Sequence, residues 1–585
     1  MRCERYSDPH TSVMSFRTVR LTVVASLLSL TSASSQTPRD AVVLLDSSVA
    51  AAPPSIILRW KNANVGNGYR IYRRTSTGAS WGEPIAQLGS GVRKFTDPAV
   101  RKGRAYEYRV ERITEGYTSN GYLSAGIELP VRHKRGTLIL LVESQAAQAL
   151  IPEITRLEED LVGDGWVVVR RNVSATTGPV EVKAIIQRLA ASTSRVNALF
   201  LLGRIAVPYA GDIAPDGHSE HRGAWPADSF YGELSGQWTD NHVNNREAVS
   251  SRTHNVPGDG KFDQSHLPDS VRLMVGRVDM ANLPGFNATE IELLRRYLEK
   301  DHAFRHAKWT IEERALIDDE FGWHIAGAAY AASGWRLGPV VGRDKVAVGS
   351  FLPTVQNDTY LWAYGCGPGS YSSVGGVASI QDFATAPVRA VFCMLLGSYM
   401  GDWDSGADQP AVLRGALAAK GHSLAAMWAG QPHWHVHHMG IGEPVGFSAR
   451  LTQNNSGDQY RGPGGDGWGR TERAVHVALM GDPTLRLHPV PPASGLVATR
   501  GADAMQLTWS ASPAPDVAGY HVYRGTSRLG PFQRLTPKSL TETSFTDAAP
   551  TEGAIYQVRA MVLQHSPSGS YFNQSQGIFV KSPAN

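Results

Sequence analysis

The chain has 585 residues, 42% of them apolar and 19% charged, with a net charge of +4. At roughly 150 residues per domain it is too long for one core, and so small a net charge gives no reason to expect nucleic acid or an anionic membrane as a partner. Three cysteines, Cys3, Cys366 and Cys393, are too few for a disulfide scaffold; Cys366 and Cys393 could pair with each other or stand free.

Residues 1–35 read as an export signal whose true start is Met14 rather than Met1. Arg17 and Arg20 precede an apolar run over 21–30, and Ala33-Ser34-Ser35 follow, which is the order of charge, apolar core and small residues in a secretory signal peptide. The run is shorter than the ~20 residues a spanning helix takes. Gln36 rather than cysteine follows, which argues against a lipid anchor. A secreted protein of bacterial type, extracellular or at the cell surface and without a membrane span, is expected.

Two distant segments share one pattern. The first reads Leu58-Arg59-Trp60, Gly68-Tyr69-Arg70-Ile71-Tyr72-Arg73, Phe95-Thr96-Asp97, Gly103 and Tyr106-Glu107-Tyr108-Arg109-Val110. The second reads Leu507-Thr508-Trp509, Gly519-Tyr520-His521-Val522-Tyr523-Arg524, Phe545-Thr546-Asp547, Gly553 and Tyr556-Gln557-Val558-Arg559. Matching the phenylalanines and counting eleven residues on pairs Tyr106 with Tyr556. Alternating apolar and polar residues between turn residues predict half-buried strands, and the tryptophan and late tyrosine fit the core and corner of a two-sheet sandwich. These residues resemble the fibronectin type III family over 41–130 and 492–580. The resemblance implies modules that space or present a neighbour, or bind surface glycan or protein.

Between them, 136–489 has another rhythm. Apolar runs at 137–143, 166–170 and 198–202 alternate with helical spacing at 151–162 and 182–189. That order predicts right-handed crossovers and a mainly parallel sheet, with the functional crevice beyond the carboxyl ends of its strands. The fold class expected is therefore multidomain: a central α/β domain flanked by two all-β immunoglobulin-like sandwiches. A polar, glycine-rich stretch over 211–270 is long enough to be functional or mobile. Within it, Asp259 and Asp263 could offer oxygen ligands to calcium or simply shape a turn; no other cofactor is expected.

Several blocks of the central domain, in order, resemble the gingipain family of caspase-fold cysteine peptidases. They are Leu199-Phe200-Leu201-Leu202-Gly203 with Val207-Pro208, Ala227-Asp228-Ser229-Phe230-Tyr231, Pro268-Asp269 running to Gly276-Arg277, and Gly481-Asp482-Pro483. The resemblance implies a caspase-like sheet and a cysteine–histidine pair at the ends of neighbouring strands. The two family positions carry other residues here. Cys366, between Gly365 and Gly367, stands where the family has histidine, and Ser398 stands where it has the nucleophilic cysteine. A serine without a histidine base is too weak a nucleophile for a peptide bond, and a thiol does not shuttle protons as imidazole does. The double replacement predicts a degenerate catalytic site.

Rebuilt chemistry is the alternative. Cys366 could pair with a histidine of the cluster His433, His435, His437 and His438, or with His422 or His324. His433, His435 and His437 would share one face of an extended strand and could hold zinc, or merely pack in a polar loop. The segment 397–401 does not match a G-x-S-x-G elbow. Asp402 and Asp404 could line the crevice or cap a helix, and Cys393 reads as a small core residue. Three readings follow: a peptidase relative that binds peptide or protein without cutting, an active secreted hydrolase, and a surface or matrix adhesion module. The first requires a crevice with no base in reach, the second an imidazole within hydrogen-bond distance of Cys366 or Ser398, and the third a crevice filled by side chains.

Overall fold

The computed structural model describes residues 37–61, 66–75, 80–114, 118–322, 330–428, 433–457, 459–462 and 472–583; the expected export signal over 1–35 and His324 lie outside them. The apolar runs of the central segment form a ten-stranded sheet. Its strands are β1 (Gly136–Glu143), β2 (Trp166–Val173), β3 (Val196–Leu202), β4 (Met274–Val278), β5 (Ala315–Asp319), β6 (Val346–Val348), β7 (Tyr360–Cys366), β8 (Ala390–Leu396), β9 (Ala425–Trp428) and β10 (Leu479–Gly481). They lie in the order β6-β5-β7-β8-β9-β10-β4-β3-β1-β2. β2, β1, β3 and β4 pair in parallel, as do β6, β5, β7, β8 and β9, and β10 is antiparallel to β9. The sheet is mainly parallel, as the alternation of strand and helix predicts.

Side-chain alternation explains why the inner strand β1 is apolar over most of its length. Leu138, Leu140 and Val142 of β1 pack with Leu157 and Leu161 of α1 (Ile151–Gly163) and with Leu294 and Leu298 of a long helix, Glu290–Arg305. Ile139 and Leu141 turn to the other face and meet Val182 and Ile186 of α2 (Pro179–Ser192). A strand covered on both sides favours apolar residues at successive positions rather than alternate ones. The Glu290–Arg305 helix, α3, starts where Thr289 and Glu292 form a reciprocal capping box. Among the described residues, no helix is long and apolar enough to cross a membrane.

Each repeated segment folds as two packed sheets. In the first, Leu45–Ala51, Pro54–Trp60 and Lys94–Asp97 pair in one sheet, and Gly68–Arg74, Ala86–Gly89, Ala105–Ile113 and Thr118–Leu129 pair in the other. Trp60, Tyr69, Tyr108 and Val110 share the core between them. The second repeats this around Trp509, Tyr520 and Tyr556. The structure corrects one pairing. Tyr108 lies opposite Arg73 as Tyr556 lies opposite Arg524, and each hydroxyl donates to its aspartate, Asp97 or Asp547, at 2.8 Å. Tyr108, not Tyr106, therefore matches Tyr556. The first copy has two more residues between its Gly and this tyrosine, so equal counting from the phenylalanines misaligns them.

The two β modules flank the central domain in sequence but touch in space. The Gly569–Gln574 strand runs parallel to Thr118–Leu129, with Gly569 opposite Gly126, and joins both modules into one nine-stranded sheet. Gly569 has φ 109°, and a Cβ there would lie 2.2 Å from the Gly126 carbonyl oxygen. Residues Gln36–Asn585 accordingly form one compact unit. Gly569→Val should lower the unfolding free energy by at least the ~1–3 kcal/mol typical of overpacking, read by urea denaturation, whereas Gly553→Ala, with open space at its Cβ, should cost less.

Candidate active site

The register of β7 and β8 brings Cys366 and Ser398 to neighbouring strand ends. Cys366 ends β7 opposite Leu396, the last residue of β8, and Ser398 lies two residues further. The loops after these strands are in contact: the Gly367 N–H donates to the Leu396 carbonyl at 3.1 Å. A Cβ on Gly369 would fall 2.3 Å from the Ser398 nitrogen, and one on Gly367 2.3 Å from the Gly375 oxygen. Gly365 is equally confined, its missing Cβ lying 2.4 Å from Val377.

Cys366 is built as a core thiol. It is fully buried, and its Sγ donates to Asp319 Oδ1 at 3.2 Å. Burial first, then the negative charge of Asp319, push its pKa far above the ordinary thiol range. A thiolate is the reactive form, and this pocket opposes one. Cys393, inside β8, is also free and buried, pushed up to about 12 by burial.

Ser398 is different. Its Oγ lies 2.9 Å from His218 Nε2, so the expectation that no imidazole stands beside this serine is corrected. His218 belongs to the long polar stretch between β3 and β4, a loop marked by its length but not by this residue. The carboxylate of Asp216 holds the two segments together: Oδ1 accepts the His218 N–H at 3.3 Å, and Oδ2 accepts the Tyr399 N–H at 2.9 Å and meets His221 Nδ1 at 2.6 Å. Tyr399 has φ 63°, a left-handed conformation uncommon for a bulky residue. It is clamped between rings, His221 at 3.6 Å and Tyr371 at 4.7 Å between centroids. The turn that presents Ser398 is thus fixed from both sides. Glu220 approaches the same imidazole more loosely: its Oε1 lies 3.9 Å from His218 Nδ1, and the His218 and Glu220 side chains are about half exposed (48% and 61%).

Asp402 and Asp404 are buried and ion-paired. Asp402 binds both terminal nitrogens of Arg252; burial raises its pKa against the pull of that guanidinium. Asp404 takes Arg204 at 2.6 and 3.3 Å and the Tyr209 hydroxyl at 3.0 Å. Arg204, just past β3, also reaches Asp279, just past β4. These aspartates therefore tie the loops that follow β3, β4 and β8 into one wall around Ser398.

The histidine cluster lies elsewhere. His433, His435, His437 and His438 are buried, and burial holds His433 and His438 down at about 3. His437 Nε2 meets Glu107 Oε1 of the first β module at 2.8 Å, and His435 stacks on Tyr460 at 4.6 Å. His437 opens a short 3-10 helix, so the three alternate histidines do not share one extended strand. His422 packs on Trp309, 4.4 Å between centroids. Asp263 accepts N–H bonds from Asn241, His242 and Val243 at 2.8–3.1 Å. Those bonds outweigh its partial burial and pull its pKa below the usual carboxylate range. Asp259 is likewise engaged by the Val256 and Lys261 N–H groups.

No family model matches the chain, and no curated protein does. Among solved structures, it is similar to the Arg-specific cysteine proteinase gingipain R, at 10% identity and a TM-score of 0.45, covering 76% of this chain and 99% of that one. It is similar to an Fn3-like protein from Clostridium thermocellum at 24% identity and a TM-score of 0.13, covering 17% of this chain and 98% of that one. Pectate lyase PelI from Erwinia chrysanthemi follows at 21% identity and a TM-score of 0.14, covering 18% of this chain and 33% of that one. Likenesses this distant leave the chemistry to the side chains of this chain.

The two thiols should resist alkylation in the folded protein at pH 8 and react fully in denaturant. Mass spectrometry after brief iodoacetamide treatment checks this, and rapid native modification of Cys366 would contradict the buried-thiol geometry.

Proposed function

We propose that the chain is an exported, gingipain-like hydrolase acting on peptide or protein, in which Ser398 and His218 stand in for the cysteine–histidine pair. The observation that carries this reading is the 2.9 Å contact between Ser398 Oγ and His218 Nε2, at the carboxyl edge of a mainly parallel sheet. His218 takes the hydroxyl proton as Oγ attacks the carbonyl carbon, then gives it to the leaving amine. Water repeats the sequence to release the acid. Asp216, His221 and Tyr371 fix the turn, so the serine needs little reorganisation. The loose Glu220 contact favours slow turnover and activated esters over amides. The reading needs no cofactor.

The half-exposed His218 also favours a second reading, a pseudo-enzyme that binds peptide along the same edge without cutting it. In both, the fibronectin type III-like modules present the α/β domain outside the cell and bind surface glycan or protein.

The test is cleavage of a complex peptide library and of an activated ester by the purified mature chain, with Ser398→Ala, His218→Ala and Cys366→Ala alongside. The first two should lose about 100-fold or more in rate, as expected for removing a nucleophile or its base, and Cys366→Ala should keep most of it. Turnover unchanged in Ser398→Ala would reject the pair. No turnover by the unmodified chain, with peptide still retained, would move the conclusion to the binding reading.

A further inference from the structure

Far from Ser398, α1 and α3 pack side by side and bring three ligating side chains together. His302 and His306 are one helical turn apart at the end of α3, so both imidazoles leave the same face; their ring centroids are 4.2 Å apart. Asp160 of α1 faces them. Its Oδ2 lies 2.7 Å from His302 Nδ1, and its Oδ1 lies 2.7 Å from His306 Nε2. The nitrogens and a carboxylate oxygen all fall within 4.8 Å of one another. We propose that Asp160, His302 and His306 form a binding site for a divalent transition-metal ion of the zinc type.

The donor set selects that class. Two imidazoles and one carboxylate suit zinc, copper or nickel, whereas calcium and magnesium call for oxygen alone. The geometry is close to what such an ion needs. Tetrahedral bonds of ~2.0–2.1 Å place neighbouring ligand atoms about 3.3 Å apart, against 2.7 Å for each carboxylate–imidazole contact and at most 4.8 Å between any two of the ligand atoms here. On binding, the two inner nitrogens offer their lone pairs, and the proton of each neutral ring moves to its outer nitrogen. Asp160 is nearly buried, but the His302 and His306 side chains are 30% and 15% exposed, which leaves an outward position for water.

The other cluster of this kind among the described residues, Glu107 with His437 and His438, is less suitable. Glu107 already receives Arg74 Nε and the Tyr460 hydroxyl, each at 2.6 Å, and all three members are buried. An ion there would lie against a guanidinium.

The position assigns a structural role. Lys300, on the same helix, donates to the carbonyls of Leu417, Ala419 and Ser423 just ahead of β9, so the end of α3 lies at the amino edge of β8 and β9. The seven residues of β8, at ~3.3 Å each, hold it about 20 Å from Ser398. The ion would staple α1 to α3, and not take part in hydrolysis.

The chain, stripped with chelator and then dialysed against zinc, should retain one equivalent by elemental mass spectrometry and melt at a higher temperature than the stripped form. Cobalt in its place should give visible d–d bands of nitrogen and oxygen ligation. His302→Gln and Asp160→Asn should each lose the bound ion and the melting shift, while their stripped forms unfold cooperatively like the parent. If one variant fails to fold, the other and the cobalt spectrum of the parent still decide. Absence of retained zinc in the parent would overturn the proposal, and so would equal retention and equal melting shift in either folded variant.

Discussion

Parallel pairing of β7 with β8 is the constraint from which the site follows. All seven residues of each strand are buried, and their register sets Cys366 beside Leu396. The shared depth makes the carboxyl ends of the two strands neighbours and gives them opposite fates. β7 ends in a residue that is still inside the core, next to an acid. β8 ends two residues before its serine, which emerges into a turn. The two neighbouring strand ends thus carry a protonated thiol on one side and a hydroxyl on the other.

The imidazole beside that hydroxyl, His218, comes from a third place in the chain. The loop between β3 and β4 returns over the carboxyl edge and is anchored by Asp216 and by the Arg252–Asp402 and Arg204–Asp404 pairs. Ion pairs of this kind add little net stability when buried, since desolvation offsets attraction. They do define which loops meet, because breaking one leaves a charge stranded. Glu107, Arg74 and His437 act in the same way where the first β module docks on the central domain. The nine-stranded sheet formed with the second β module then closes the assembly into one unit.

Much of this was legible in the sequence. Continuous apolar runs identified β1 and β3, which are buried on both faces, and the run at 166–170 identified β2, an edge strand whose later residues Arg170, Arg171 and Asn172 are exposed. The repeated Trp, Gly-Tyr and Phe-Thr-Asp pattern identified both β modules. The positions of Cys366 and Ser398 at adjacent strand ends followed from motif order. What sequence did not reveal depends on contacts across long separations. His218 lies 180 residues from Ser398 and carries no motif. The edge pairing of Gly569 with Gly126 leaves only two glycines as its trace. The buried character of His433 to His438 was masked by their polarity, since no periodic pattern tells a histidine packed against a neighbouring module from one facing solvent. The Asp160 site has a readable half, histidines four apart on a helix, but its carboxylate comes from another helix.

The account rests on Ser398 being a nucleophile activated by His218. A fluorophosphonate probe tests this most directly, because it bonds only to an activated serine oxygen, and peptide mapping then locates the adduct. The account predicts a single adduct on Ser398 that is absent in His218→Ala, whose serine is intact but lacks its base. Labelling that spares Ser398, or that persists unchanged without His218, would contradict it.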